Sequence, residues 1–322
     1  MARPDWLKKA IAAGGDYHYK KQPKVRHNLI NLGSLLFVCV AYVGVMALGA
    51  VLEPMIYLPL AVVLMGSLNY SLYILVIHEC SHVMFLLRTD NERSEALNHV
   101  IGRAFGNILF TDYDKHWKEG HVVHHLRPTE ADDPQNPDPL DGARLLRRYL
   151  FLLIPVLGPL KTNPSAQYGF SLKRLVIGLA FWGTLGYLGY AFFAPQVALA
   201  ILLSFQFTSI LNFTKIAQEH ASGLATEPDA FFRSRTYFYG TRYLTSPFNI
   251  NYHFEHHANF KVPWYLLPAY HKRCFDLMPT DLHPYFLTVG WRQFLAQLAG
   301  SRPLPPAPVR HLMGESPAEA TA

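Results

Sequence analysis

The longest stretches of this chain without a charged residue decide what it can fold into. No Asp, Glu, Lys or Arg occurs over residues 28–52, 55–77 or 175–214. A helix rises about 1.5 Å per residue, so each of the first two runs reaches across the roughly 30 Å of hydrocarbon in a bilayer. The third run is too long for one crossing, and Ala194-Pro195-Gln196 near its middle supplies a helix break. Two spans follow from it, 175–193 and 197–214. Only Glu53-Pro54 separates the first two runs, so each pair of spans turns straight back as an antiparallel hairpin. Charged residues make up 16% of the chain, against about a quarter in a soluble domain. The first apolar run begins too far in, and is too long, for a cleavable signal peptide.

The positive charges set the expected orientation. Lys8, Lys9, Lys20, Lys21, Lys24 and Arg26 precede the first span. The segment between the hairpins carries Arg88, Arg93, Arg103, Lys115, Lys118, Arg144, Arg147 and Arg148, whereas neither hairpin turn contains Lys or Arg. The positive-inside rule then puts both termini and the central segment in the cytoplasm. The expected architecture is an all-α integral membrane protein, with four transmembrane helices in two hairpins and a cytoplasmic helical cap. Its segments are a cytoplasmic start (1–27), hairpin 28–77, cytoplasmic segment 78–174, hairpin 175–217, cap 218–300 and a Pro- and Ala-rich tail (301–322) expected to be disordered. The membrane is the inner one in a bacterium or that of the endoplasmic reticulum in a eukaryote. Membrane lipids are expected partners and nucleic acid is not. The three cysteines are far apart and odd in number, so no disulfide framework is built from them.

Histidine carries the chemistry. Eight of sixteen histidines fall in three five-residue windows: His78-Glu79-Cys80-Ser81-His82, His121-Val122-Val123-His124-His125 and His253-Phe254-Glu255-His256-His257. On a helix, residues three and four apart share a face, so His78 and His82 converge and each HxxHH turn offers three imidazoles. Neutral imidazole suits iron, zinc or copper, and eight ligands are too many for one ion. All three windows fall on the same expected side of the membrane, as a shared metal site requires. His220 lies just past the fourth span and is carried toward the cap if that helix continues.

In that order and with those spans, the boxes HECSH, HVVHH and HFEHH resemble the membrane fatty-acid desaturase and hydroxylase superfamily, over roughly residues 28–275. The stretch from Asn251-Tyr252 through Val262-Pro263 and Leu267-Pro268-Ala269-Tyr270-His271 is similar to acyl-lipid and sphingolipid-type desaturases. The resemblance implies two ferrous ions held by His78, His82, His121, His124, His125, His220, His253, His256 and His257, with O₂ as co-substrate. It also implies a lipid or fatty-acyl substrate and an external electron donor, ferredoxin or a cytochrome b5-like protein, because the chain has no flavin or haem motif. There are departures: Ala258-Asn259-Phe260-Lys261 stands where many relatives have Phe-Pro, and the third box begins with His253 rather than Gln. The expected reaction is insertion of a double bond. Hydroxylation of an alkyl, sterol or carotenoid substrate is the alternative, and a non-enzymatic zinc-binding membrane protein is a second.

Ligating imidazoles donate their other N–H to a carboxylate or carbonyl. Glu79, Asp112, Asp114, Glu119, Asp132, Asp133, Glu219 and Glu255 are candidates, with Asn249 and Asn251. His116 is five residues from His121 and off its face. His271 is expected to orient a cap helix or to support a ligand from behind. His18, His27, His99, His283 and His311 are expected to be solvated or capping groups.

Overall fold

Each uncharged run is helical in the computed structural model, which describes residues 3–135, 142–154, 168–220, 227–238, 242–298, 309 and 311–313. Among the described residues, four helices are long and apolar enough to cross a membrane: Lys24–Leu48, Pro54–Ser81, Leu172–Phe192 and Pro195–His220. The first begins before the uncharged run, since Lys24 and Arg26 can place their charges at a membrane surface while their stems continue the helix. The fourth continues without a break to His220. Among the described residues the only strands are Thr236–Phe238 and Leu287–Val289, paired in parallel with Thr236 opposite Leu287.

The chain divides into two units. One comprises Pro23–Val122 and Arg147–Thr214, the other Met1–Gln22, Val123–Leu146 and Lys215–Ala322. In the first, the second and fourth spans approach closely at Gly66, where a Cβ would lie 2.8 Å from the Ser204 carbonyl oxygen. The seam is polar as well as small. Asn69 donates to Ser204 Oγ at 2.9 Å and Thr208 Oγ1 donates to the Gly66 carbonyl at 3.0 Å. Without a hydrophobic force between helices in lipid, such bonds and close packing do the joining. Outward-facing Leu29, Leu36, Phe37, Val176, Leu179 and Phe192 present apolar surface suited to hydrocarbon.

The second span does not end as a plain α-helix. Tyr73–His78 is a π-helical turn and Glu79–Ser81 a last α-turn, so the first histidine box sits on an irregular helix end. Beyond it, Val83 adopts a left-handed conformation (φ 61°). The following turn is held by side chains. The Asn98 carboxamide oxygen accepts from the Phe85 and Leu86 amides, and Asn28 accepts from the Leu87 amide and donates back to its carbonyl. Asn31 donates to Phe85 O at 2.8 Å, and His27 donates to Met84 O. His27 and His99 are buried, which corrects the expectation of solvated groups. Unpaired turn carbonyls against the first span's start would be costly, and His27 meets one of them. A β-branched residue held left-handed costs on the order of 1–3 kcal/mol. Val83→Asn, which tolerates that conformation, is therefore expected to raise the thermal unfolding midpoint in detergent; an unchanged or lower midpoint contradicts the strain.

In the second unit, Leu7, Phe232, Phe254, Met278, Leu282 and Phe286 form a core. Met313 joins it, and the Trp6 indole N–H donates to Leu312 O at 2.7 Å. Part of the expected disordered tail therefore packs, because it brings an apolar side chain to an apolar core; residues 301–308, 310 and 314–322 lie outside the described residues.

Candidate metal centre

The third box is positioned by the turn before it. Phe248 and Asn249 are both left-handed (φ 56° and 57°). Asn251 then pairs with the first strand: its carbonyl accepts from the Tyr237 amide and its side chain donates to Tyr237 O, each at 3.1 Å. The short helix His253–Ala258 follows. Phe254 points into the core described above. Glu255 accepts hydrogen bonds from Thr236 and from His271, the latter at 2.6 Å. His253, His256 and His257 occupy the opposite side, as a 3.6-residue period requires.

Within this unit His124, His220, His253 and His257 each offer one ring nitrogen, and the four nitrogens all lie within 4.8 Å of one another. All four residues are buried. Hydrogen-bond partners place the Nδ1 protons of His220 and His124. His220 Nδ1 is 2.9 Å from the Arg233 carbonyl, which can only accept, so Nδ1 carries the proton. His124 Nδ1 donates in the same way to Asp133 Oδ2 at 2.9 Å. His253 Nδ1 faces Glu219 Oε1 at 3.3 Å. A neutral ring protonated at Nδ1 bears its lone pair on Nε2. His220 Nε2 and His253 Nε2 face each other at 2.9 Å. Among the described residues, neither ring nitrogen of the buried His257 has a hydrogen-bond partner. A cation bound by the lone pairs satisfies all of these groups at once, and an all-imidazole set suits a borderline transition-metal ion.

The electrostatics agree. Burial, followed by neighbouring positive charge from His257, Lys215 and others, holds the His253 pKa well below the ordinary imidazole value. His257 is lowered likewise, by burial first and then by His124. Burial and then Lys215 push His256 down to about 3. These rings are therefore neutral at physiological pH and able to act as ligands. The sign for stability follows. Below about 6.5 the unfolded chain gains protons that folded His256 refuses until about 3, so stability falls across that window. Metal-free protein is expected to be most stable above that window and to lose thermal stability steadily below it. A flat profile from neutral pH down to pH 4 contradicts this.

Burial pushes the Asp133 carboxyl up, but His124 and the Thr129 and Gln135 amides outweigh it and hold its pKa below the usual carboxylate range. Both amides donate at 2.8 Å. Thr129 adopts a left-handed φ of 69° where its amide meets the carboxylate. Removing such an orienting carboxylate costs roughly 10–100-fold in metal affinity, which is expected for Asp133→Ala in a chelator competition; unchanged affinity refutes the role.

The remaining box histidines lie as follows. His125 and His256 are ring neighbours in the same unit, with centroids 4.6 Å apart, and His125 also lies 4.5 Å from His257. In the other unit His78, His82 and His121 converge, with centroids 4.7–4.9 Å apart and His82 Nε2 facing His121 Nε2 at 3.1 Å. His78 Nδ1 is 3.3 Å from Glu79 Oε1, and Trp117 stands edge-on to His78 at 6.4 Å. Of the candidate orienting carboxylates, Asp133, Glu219 and Glu79 meet box histidines. Asp112, Asp114 and Asp132 pair instead with Arg174, Arg103 and Arg127. His271 orients Glu255. His116 is buried beside Trp117. Two contributors were missed in the sequence. The Arg233 carbonyl left no signal there. Lys215, 2.7 Å from Glu219 and four residues before it on one helix, could have been found from the spacing.

A family model described as "Fatty acid desaturase" matches residues 53–289. No curated protein matches the chain.

Proposed function

Because this chain belongs to the fatty acid desaturase family, we propose that it is an O₂-dependent fatty-acyl desaturase working through a histidine-ligated di-iron centre. The observation that carries this reading is the convergence of buried imidazole nitrogens at His124, His220, His253 and His257, with burial holding His253 and His257 neutral. These four are proposed to hold one iron, and His78, His82, His121, His125 and His256 remain proposed metal ligands. Bound and reduced iron would let O₂ act as an oxidant strong enough for an unactivated methylene, which no side chain supplies. The reaction balances as two hydrogens leaving adjacent carbons, with O₂, two protons and two external electrons ending as two waters.

The chain's own residues have defined parts in this scheme. Asp133 and the Arg233 carbonyl accept the Nδ1 protons of His124 and His220, so Nε2 of each remains available as a ligand. Burial excludes water, which would quench a reactive oxidant. The four apolar helices seat the protein in the bilayer where acyl chains reside. The asymmetry of Lys and Arg supports termini and centre on the cytoplasmic side.

Mass-spectrometric lipid profiling of a host with and without the gene, together with metal analysis of the purified protein, tests the proposal. The expected result is iron, and acyl chains two hydrogens lighter only when O₂ is present. New hydroxyl groups would replace desaturation by hydroxylation. Zinc without any O₂-dependent product would sink the enzymatic reading.

A further inference from the structure

Each turnover of a desaturase consumes two electrons, and no flavin or haem motif occurs in this chain to supply them. We propose that an acidic one-electron carrier protein docks on the patch formed by Lys20, Lys21 and Lys261, and that Phe260 bridges this patch to His125; the proposal rests on the desaturase reading above.

The patch is built from two segments of one unit. The Tyr19 amide donates to the Lys261 carbonyl at 3.0 Å, which holds the segment before the first span beside the loop that follows the third box. Lys20 and Lys21 are exposed and Lys261 is partly so. The Lys20 and Lys261 ammonium groups each lie 6.0 Å from the centre of the Tyr19 ring. One carboxylate, Asp16, sits 3.3 Å from Lys21 and offsets part of the charge. His18 lies among them. Burial first, and then Lys20, Lys261 and Lys21, lower its pKa, so it stays neutral in a field that remains positive. Such a surface attracts an acidic partner and speeds its arrival.

What distinguishes this patch from a membrane-headgroup contact is the path beneath it. Lys261 Nζ stands 4.8 Å from the centre of the Phe260 ring. Phe260 lies against His125 with centroids 5.1 Å apart, and His125 in turn lies 4.5 Å from His257 and 4.6 Å from His256. A continuous line of rings in contact thus runs from the lysines to the proposed ligands. Electron tunnelling falls steeply with each gap, so ring-to-ring contact is the favourable route inward. A phosphate headgroup would need the ammonium groups but not the rings. A carrier that must leave after each electron also needs only a small, charge-steered interface.

The test uses full-length, metal-loaded protein in nanodiscs, with a [2Fe–2S] ferredoxin and the soluble haem domain of cytochrome b5 as probes. In unmodified protein, binding of at least one probe is expected to weaken as salt rises. In the triple variant Lys20→Glu, Lys21→Glu, Lys261→Glu it is expected to weaken by about tenfold or more and to lose most of its salt dependence. Phe260→Leu is expected to bind the probe as before but to slow its reduction of the metal by about tenfold, while a neutral small-molecule reductant works equally well on every form. Salt-independent binding, binding of neither probe, or unchanged affinity in the triple variant overturns the docking site. Loss of affinity for phosphatidylglycerol vesicles with probe binding intact would make the patch a lipid contact instead and also overturns it. Full-speed reduction in Phe260→Leu overturns the route. Probe binding is measured whatever metal the protein contains, so failure of docking is distinguishable from failure of the desaturase reading.

Discussion

His257→Ala is expected to abolish turnover and to remove about half of the bound metal while leaving the protein folded in the membrane. His257 is buried in the middle of the quartet, its ring 4.5 Å from His253, 5.0 Å from His124 and 5.3 Å from His220. Neither of its ring nitrogens has a hydrogen-bond partner among the described residues. No hydrogen bond is therefore lost with the ring, and the cavity left is small enough to cost only a few kcal/mol. The loss falls instead on the metal. Orienting groups alone are worth about 10–100-fold in affinity, and removal of a direct ligand is expected to exceed that range. Metal content by mass spectrometry, product formation, and a thermal melt of the metal-free protein separate the effects. Full metal content and turnover in this variant would refute the quartet as a metal centre. A collapsed melt with no assembled protein would show a structural role instead.

Lys215→Met is expected to destabilise the protein by about 3–5 kcal/mol, the range for breaking one side of a buried ion pair. Lys215 Nζ lies 2.7 Å from Glu219 Oε2, with side-chain exposures of 8% and 1%, so little solvent is present to screen the carboxylate left behind. Glu219 also faces His253 Nδ1. Deprived of its lysine, the buried carboxylate would take up a proton itself and no longer hold its negative charge against the Nδ1 side of that ring. Metal affinity is thus expected to fall together with stability. Lys215→Met combined with Glu219→Gln removes both charges and keeps an acceptor oxygen for His253, so most of the lost stability should return. Denaturation in detergent, compared across the three proteins, reads the coupling directly. Equal midpoints for Lys215→Met and the unmodified protein would mean that the pair carries no weight.

The same helix shows which parts of the centre were legible in the residues. The fourth uncharged run and its extension to His220 followed from the absence of charge and of a breaker after Pro195, both local properties. The pairing of Lys215 with Glu219 was equally local, a four-residue spacing on one face. The role of Asp133 was not. It stood among eight candidate carboxylates of similar standing, and only the fold of the turn at Thr129 brings its oxygens to His124 and two amides at once. Asp112, Asp114 and Asp132 were as acidic and as near the second box, yet found arginines instead. That His27 would cap a turn carbonyl rather than be solvated was hidden for a related reason. Its burial depends on the turn at Met84, more than fifty residues away, which no periodicity in the first span encodes.

Length, apolarity and histidine spacing are carried by the order of residues alone. A bilayer demands uninterrupted apolar helices, and an imidazole cluster on one helical face follows from the 3.6-residue repeat, so the four helices and the three boxes could be read before any coordinates. Which nitrogen of each ring keeps its proton was decided only by the tertiary structure. That choice depends, for His220 and His124, on a carbonyl at Arg233 and a carboxylate at Asp133 arriving within hydrogen-bonding distance. Contacts between residues distant in the chain are set by how whole elements pack, and no local pattern records them.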